Sequence, residues 1–224
     1  MTREASTSRS RRNRELDMSE IQRGREVRTS EYPIDTLFID RWSPRALSGE
    51  SMTDDDLLTL FEAAHWAPSS GNSQPWRFLY ARRDTEHWPL FFDLLNEGNR
   101  TWCHRAAALI VFISRTTHEK NGRVLVTHSY DTGSAWMSLA YQGWMKGLVV
   151  HGMAGFDYAR AKTALNVPDD FTVEAMAAVG RPGPKDDLPP QHLTRESPSQ
   201  RKPVTELVFA GPYRPDVVSG FSRT

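Results

Sequence analysis

The segment Ala67-Pro68-Ser69-Ser70-Gly71-Asn72-Ser73-Gln74-Pro75-Trp76 concentrates hydrogen-bonding chemistry. Serines, a glycine, an asparagine and a glutamine stand between two prolines. Short hydroxyl and amide side chains on a turn stiffened by proline can hold a polyhydroxyl or phosphate-bearing ligand, and Gly71 lets the backbone come close to it. The same composition also describes an ordinary polar turn, so the loop by itself leaves both readings open. Other chemistries have weaker signatures. The seven histidines show no pair at metal-ligand spacing, so no metal is expected, and neither a Gly-x-Gly-x-x-Gly fingerprint nor a P-loop occurs.

The elements that must position this loop follow from residue patterning. Before it, Thr53 offers an N-cap and Asp54, Asp55 and Asp56 an acidic first turn. Leu57, Leu60, Phe61 and Ala64 then repeat at helical spacing until Pro68 ends the helix. Strands are predicted over 76–81, 107–114, 148–153 and 174–180, and helices over 87–96, 130–146 and from the Asp157 cap to about 166. The unbroken apolar run 107–114 suits a strand covered on both faces. Residues 130–146 carry apolar side chains nearly all round, including Trp136, Tyr141 and Trp144, as a buried helix does. A stretch rich in Pro, Asp and Ser, 181–203, reads as a long loop. Strands alternating with helices give a layered α/β or α+β domain.

Composition narrows the function classes. The chain has 224 residues, enough for one substantial domain, and 28 basic residues balance 28 acidic ones. That balance supports neither a nucleic-acid nor a membrane-surface role. The longest apolar run, 106–113, is far short of the roughly 20 residues that span a bilayer. The N-terminus has no apolar core of signal-peptide type, so a cytoplasmic protein is expected. Cys103 is the single cysteine and reads as a small buried helix residue. Residues 1–31 are rich in Arg, Ser, Thr and Glu and read as a disordered tail, with the folded domain over 32–224. Arg9, Arg11, Arg12 and Arg14 would be the contacts if that tail bound an acidic partner.

Four ordered motifs resemble the nitroreductase family of FMN-dependent reductases. They are Arg41-Trp42-Ser43-Pro44-Arg45, the 67–76 loop, the segment from Gly133 through Gly155-Phe156-Asp157, and Arg201-Lys202-Pro203 with Glu206. The resemblance implies an α+β fold, a mixed central sheet flanked by helices, in an intertwined homodimer with FMN at its interface. The helix over 130–146 suits a dimer core or equally a monomer's central helix.

The resemblance also implies roles. Arg41 and Arg201 would hold the phosphate with Ser43, and Arg45 would face the ribityl chain and the edge of the ring where negative charge collects. Pro68, Ser69, Ser70 and Asn72 would reach the flavin from the neighbouring subunit. Asn99 would bind the pyrimidine edge, unless it is a helix cap. Backbone N–H groups of Ala154 and Gly155 would point at N5 and O4. Ala154 stands where many relatives have glutamate, Ser199 where some have lysine, and Trp102 where others have lysine. Catalysis would need no side-chain nucleophile or acid, because the flavin carries the chemistry. NADH or NADPH would deliver hydride, and a nitroaromatic, quinone or similar small-molecule acceptor would then leave reduced, in ping-pong order. Reductive dehalogenation, flavin fragmentation and a binding role for the Arg-rich tail are the alternatives.

Overall fold

The computed structural model describes residues 21–213. Residues 1–20, with the four tail arginines, lie outside the described residues. The chain divides into two compact units, one of Ser43–Glu196 and one of Gln22–Trp42 with the chain from Ser197 onward. The second unit brings together two segments far apart in the sequence.

In the first unit, β1 (Trp76–Arg82), β2 (Ala108–Arg115), β3 (Val149–Met153) and β4 (Phe171–Gly180) form one sheet in the order β1-β2-β4-β3. All three pairings are antiparallel. The expected sheet flanked by helices is present, and among the described residues it has no parallel neighbour.

The sheet is layered because β2 is apolar on both faces. Leu109, Val111 and Ile113 enter one core with Phe91, Leu94, Trp102 and Phe156. Ala108, Ile110 and Phe112 enter the other with Leu57, Leu60, Ala135 and Leu139. That period of two is the strand's own side-chain alternation. The first core is closed by the short helices α3 (Trp88–Phe92), α4 (Glu97–Cys103) and α6 (Tyr158–Ala164). The second is closed by α2 (Asp54–His65), capped as expected by the Thr53 hydroxyl, and α5 (His128–Met145). Helix α1 (Thr36–Asp40) belongs to the second unit, and α7 (Pro190–Leu193) interrupts the predicted loop over 181–203.

Helix α5 departs from the all-round burial its sequence predicts. Asp131, Thr132, Ala135, Leu139, Ala140 and Gly143 face the core, whereas Tyr130 and Met145 are 80% and 61% exposed. One sheet can cover only one side of a helix, so the remaining apolar side chains stay open in a single chain.

The second unit is knit by polar contacts. The Arg25 guanidinium clamps the Asp40 carboxylate, and that pairing holds Asp40 below the ordinary carboxylate range. The Trp42 indole N–H donates to the Gln22 carbonyl at 2.8 Å. Residues 22–31 thus take part in structure, so the expected tail ends before residue 31.

Candidate functional site

Three of the predicted segments converge within the first unit. The stretch from Ser43 to Arg45 leads in, with Pro44 and Ala46 buried and Ser43 and Arg45 half-buried between them. That alternation is the extended conformation in which Ser43 and Arg45 share a side. The Pro44 carbonyl meets His151 Nδ1 of β3 at 2.9 Å, and the His151 ring packs on Trp102 of α4 with centroids 4.7 Å apart. Arg45 lies close enough to Cys103, His192 and Glu196 for its charge to influence their ionisation. His192 in turn meets the Thr101 hydroxyl of α4 at 2.8 Å.

Helix α4 carries Asn99, and the cap is Asn96, whose side chain accepts the Asn99 N–H at 3.0 Å. Asn99 is therefore free for a different task. Its Nδ2 donates to the Gly155 carbonyl at 2.9 Å, and its Oδ1 accepts from the Trp102 indole at 3.3 Å. The Gly155 carbonyl also takes the Asn96 N–H at 3.1 Å. The turn after β3 is thus fastened to α4 through its carbonyl. Its donors are left over: among the described residues, the N–H groups of Ala154 and Gly155 have no acceptor. Trp102, 1% exposed, is a core aromatic.

Ala154 also borders a cavity of about 420 Å³ lined by Phe112, Thr132, Trp136, Gly152 and Glu174. Two buried donors there, the Thr132 hydroxyl and the Trp136 indole N–H, have no partner among the described residues. Buried polar groups ordinarily are paired, so a donor set of this kind suits a ligand rich in acceptors. Glu174 is aimed by a β-bulge, because Phe112 pairs with Ala175 and Ile113 with Val173. Its carboxylate takes the hydroxyls of Ser114 and Ser129 and stands 3.3 Å from His128 Nδ1. Nothing in the sequence pattern marked Glu174, since its role depends on that one extra residue.

The 68–72 loop is anchored elsewhere. The buried Asp131 carboxylate of α5 accepts the Ser70 N–H at 3.1 Å and the Thr127 hydroxyl at 3.0 Å. The Ser69 hydroxyl accepts the Gln74 N–H at 2.9 Å. Gly71, Asn72 and Gln74 all have positive φ, which glycine adopts freely and the other two at a cost. Pro68, Ser70 and Asn72 are exposed and Ser69 is half-buried.

Arg41 and Arg201 both lie in the second unit. Arg41 closes α1, and its carbonyl accepts from Arg28 Nη1 at 3.0 Å. Arg28 Nε reaches the Ser199 carbonyl at 2.8 Å. Arg201 Nη1 meets the same carbonyl at 3.3 Å and the Ser199 hydroxyl at 2.8 Å. Arg28 thus ties the Arg41 and Arg201 segments together, and burial together with the nearby Arg201 charge lowers its pKa. Ser199 thus orients Arg201 through its hydroxyl and its carbonyl. Among the described residues no group of three His, Cys, Asp or Glu side chains is arranged to hold a metal, and no helix is long and apolar enough to cross a membrane.

Comparison with known proteins gives this arrangement its family. A model described as the nitroreductase family matches residues 39–101. A solved oxidoreductase containing FMN is 47% identical, covers 84% of this chain and 96% of its own, and superposes with a TM-score of 0.80. The chain belongs to the nitroreductase family. A 15.4 kDa protein of Mycolicibacterium smegmatis is 31% identical over 144 residues, which is 60% of this chain and 95% of that protein. A 5,6-dimethylbenzimidazole synthase of Rhodospirillum rubrum is 26% identical over 196 residues, 76% of this chain and 90% of the synthase. Membership of the nitroreductase family accounts for the order of the motifs along the chain. The residues that brace the motifs in this structure are Arg28, Asn96, Asp131, Glu174 and Glu196.

Proposed function

We propose that this chain is an FMN-dependent oxidoreductase. It takes reducing equivalents from NADH or NADPH and reduces a nitroaromatic, quinone or similar small molecule, working as a homodimer. The observation that carries the reading is the Ala154–Gly155 turn, two adjacent N–H donors without acceptors beside a fixed Asn99 amide. The residues fit the cofactor's needs. Ala154 and Gly155 would donate to the ring, and Asn99 has one amide hydrogen and one lone pair left for the pyrimidine edge. Arg45 would face the edge where negative charge collects on reduction. Arg41, Ser43 and Arg201 would hold the phosphate, and Pro68, Ser69, Ser70 and Asn72 would reach the flavin from the neighbouring subunit. When bound, FMN supplies a two-electron relay between the two substrates. The protein's part is to bind, orient and exclude water, with no side-chain nucleophile. The alanine at 154 leaves the cavity mouth wider than a longer side chain would.

The visible spectrum of the purified protein tests this directly. Flavin bands are expected, together with turnover of a nitroaromatic or quinone by NADH or NADPH under controlled oxygen. A protein that stays colourless after reconstitution with excess FMN overturns the reading. A second reading, other flavin chemistry such as fragmentation or reductive dehalogenation, is favoured by the similarity to the synthase. Flavin-loaded protein inert towards nitroaromatics and quinones would support it.

A further inference from the structure

We propose that Glu196 is a positioning residue for the flavin site: its buried carboxylate fixes the Arg45 segment, more firmly when ionised than when neutral, and FMN affinity thereby depends on pH through this group. The inference rests on the proposed assignment of Arg45 to the flavin.

The geometry is that of a carboxylate capping two successive peptide N–H groups. Oε1 accepts from Arg45 N–H at 2.9 Å and from Ala46 N–H at 2.9 Å, and Oε2 lies 3.0 Å from the Arg45 nitrogen. Glu196 is 5% exposed and stands 151 residues from Arg45 along the chain. On either side of Arg45 the backbone has anchors of its own. Pro44 is held through its carbonyl by His151, Ala46 accepts the Gly183 N–H at 3.0 Å, and Ser48 donates to Arg181 at 2.9 Å. The Arg45 N–H depends on Glu196. An ionised carboxylate is costly to bury, and a neutral side chain of the same shape would avoid that cost. What makes the charge worthwhile is the strength of charge-assisted bonds to two donors at once.

Burial pushes the Glu196 carboxyl above its ordinary range, opposed by the two amides and by the charges of Arg45 and Lys185. Arg45 also influences His192 and Cys103, and Arg195 influences His192. Protonation on Oε2 leaves Oε1 to accept both N–H groups but removes the charge that strengthens those bonds, so the Arg45 segment is held less firmly. Fold stability follows a different sign. A carboxyl whose pKa is raised on folding holds its proton more tightly in the native state, so its contribution to stability rises as pH falls through the window between the unfolded and folded values. Acidification therefore weakens FMN binding without weakening the fold through this group, whereas a purely structural role would move both together.

The test compares FMN dissociation constants of the full chain and Glu196→Gln, read by flavin fluorescence quenching from about pH 8 to about pH 5. The FMN phosphate itself titrates near pH 6, so the ratio of the two constants is the readout, in which that titration cancels. The variant is expected to bind roughly tenfold more weakly at the alkaline end, the scale of losing one charge-assisted hydrogen bond, with the ratio closing towards one at the acid end. A ratio of one throughout, or a ratio constant with pH, overturns the proposal. A second measurement needs neither variant nor flavin. The amide NMR signals of Arg45 and Ala46 in the wild type should titrate together, with a midpoint above the ordinary carboxylate range, and flat signals overturn the proposal even if the glutamine variant does not fold. Wild-type protein that binds no FMN at any pH would sink the flavin reading, an outcome distinct from failure of the amide titration.

Discussion

Gly155 has no room for a methyl group. A Cβ there would lie 2.6 Å from Nδ2 of the cap residue Asn96 and 2.7 Å from Nδ2 of Asn99, the amide that fastens the turn to α4. Gly155→Ala should push Asn99 off the Gly155 carbonyl and turn the neighbouring donors away from the flavin. FMN affinity is expected to fall roughly tenfold or more, with about 1–3 kcal/mol lost in urea unfolding from the overpacking. An unchanged dissociation constant would refute this turn as the ring's donor site. Asn99, Ala154 and Gly155 were legible in the sequence because a short, ordered motif carries them. Asn96 and Glu196 were not. A single Asn or Glu in a polar stretch looks the same whether it caps a helix, pins a distant backbone or faces water, and what distinguishes them is contact with remote chain, Asn96 with Gly155 and Glu196 with Arg45 across 151 residues. Arg28 escaped notice for the same reason, since its partners Ile39, Arg41 and Ser199 come from both ends of the chain.

Elements were more legible than their boundaries. The predicted strands reappear as β1 to β4 because their apolar runs are long and β-branched or aromatic. β4 starts at Phe171, earlier than predicted, because Thr172 and the bulged Glu174 interrupt the apolar pattern. The predicted helix over 87–96 is the shorter α3, and α4 after it was anticipated only through the reading of Cys103 as a helix residue, since seven residues are too few to show a period. An acid in an apolar helix was the available clue to the anchoring of the 68–72 loop. Asp131, 4% exposed, holds Ser70 and Thr127. Asp131→Ala would strand the Ser70 N–H and the Thr127 hydroxyl and release a turn already strained at Asn72 and Gln74. A loss of about 1–3 kcal/mol in unfolding free energy is expected. Faster proteolysis confined to residues 68–75 should accompany it, and a cleavage pattern identical to wild type would refute the anchoring role.

At the scale of the molecule, α5 is the element that a single chain leaves unfinished. Tyr130 and Met145 are exposed, and Tyr141 and Trp144 are only half-buried, while Trp136 and Met137 pack against the core under the sheet. A run of large apolar side chains kept at the surface marks an interface, and the proposed partner is a second copy of this chain. The loop points the same way, because its hydrogen bonds go to Asp131 and not to the Asn99 turn, and Pro68, Ser70 and Asn72 face outward. If that loop serves the partner's flavin, dimerisation and cofactor binding are linked equilibria. Tyr130→Glu combined with Met145→Glu should then give a monomer by light scattering and lose FMN affinity in the same step, although neither side chain belongs to the proposed flavin set. A variant that stays dimeric would remove this face as the interface. A folded monomer that keeps wild-type affinity would show instead that each chain builds its flavin site alone, leaving Ser69, Ser70 and Asn72 as an ordinary turn.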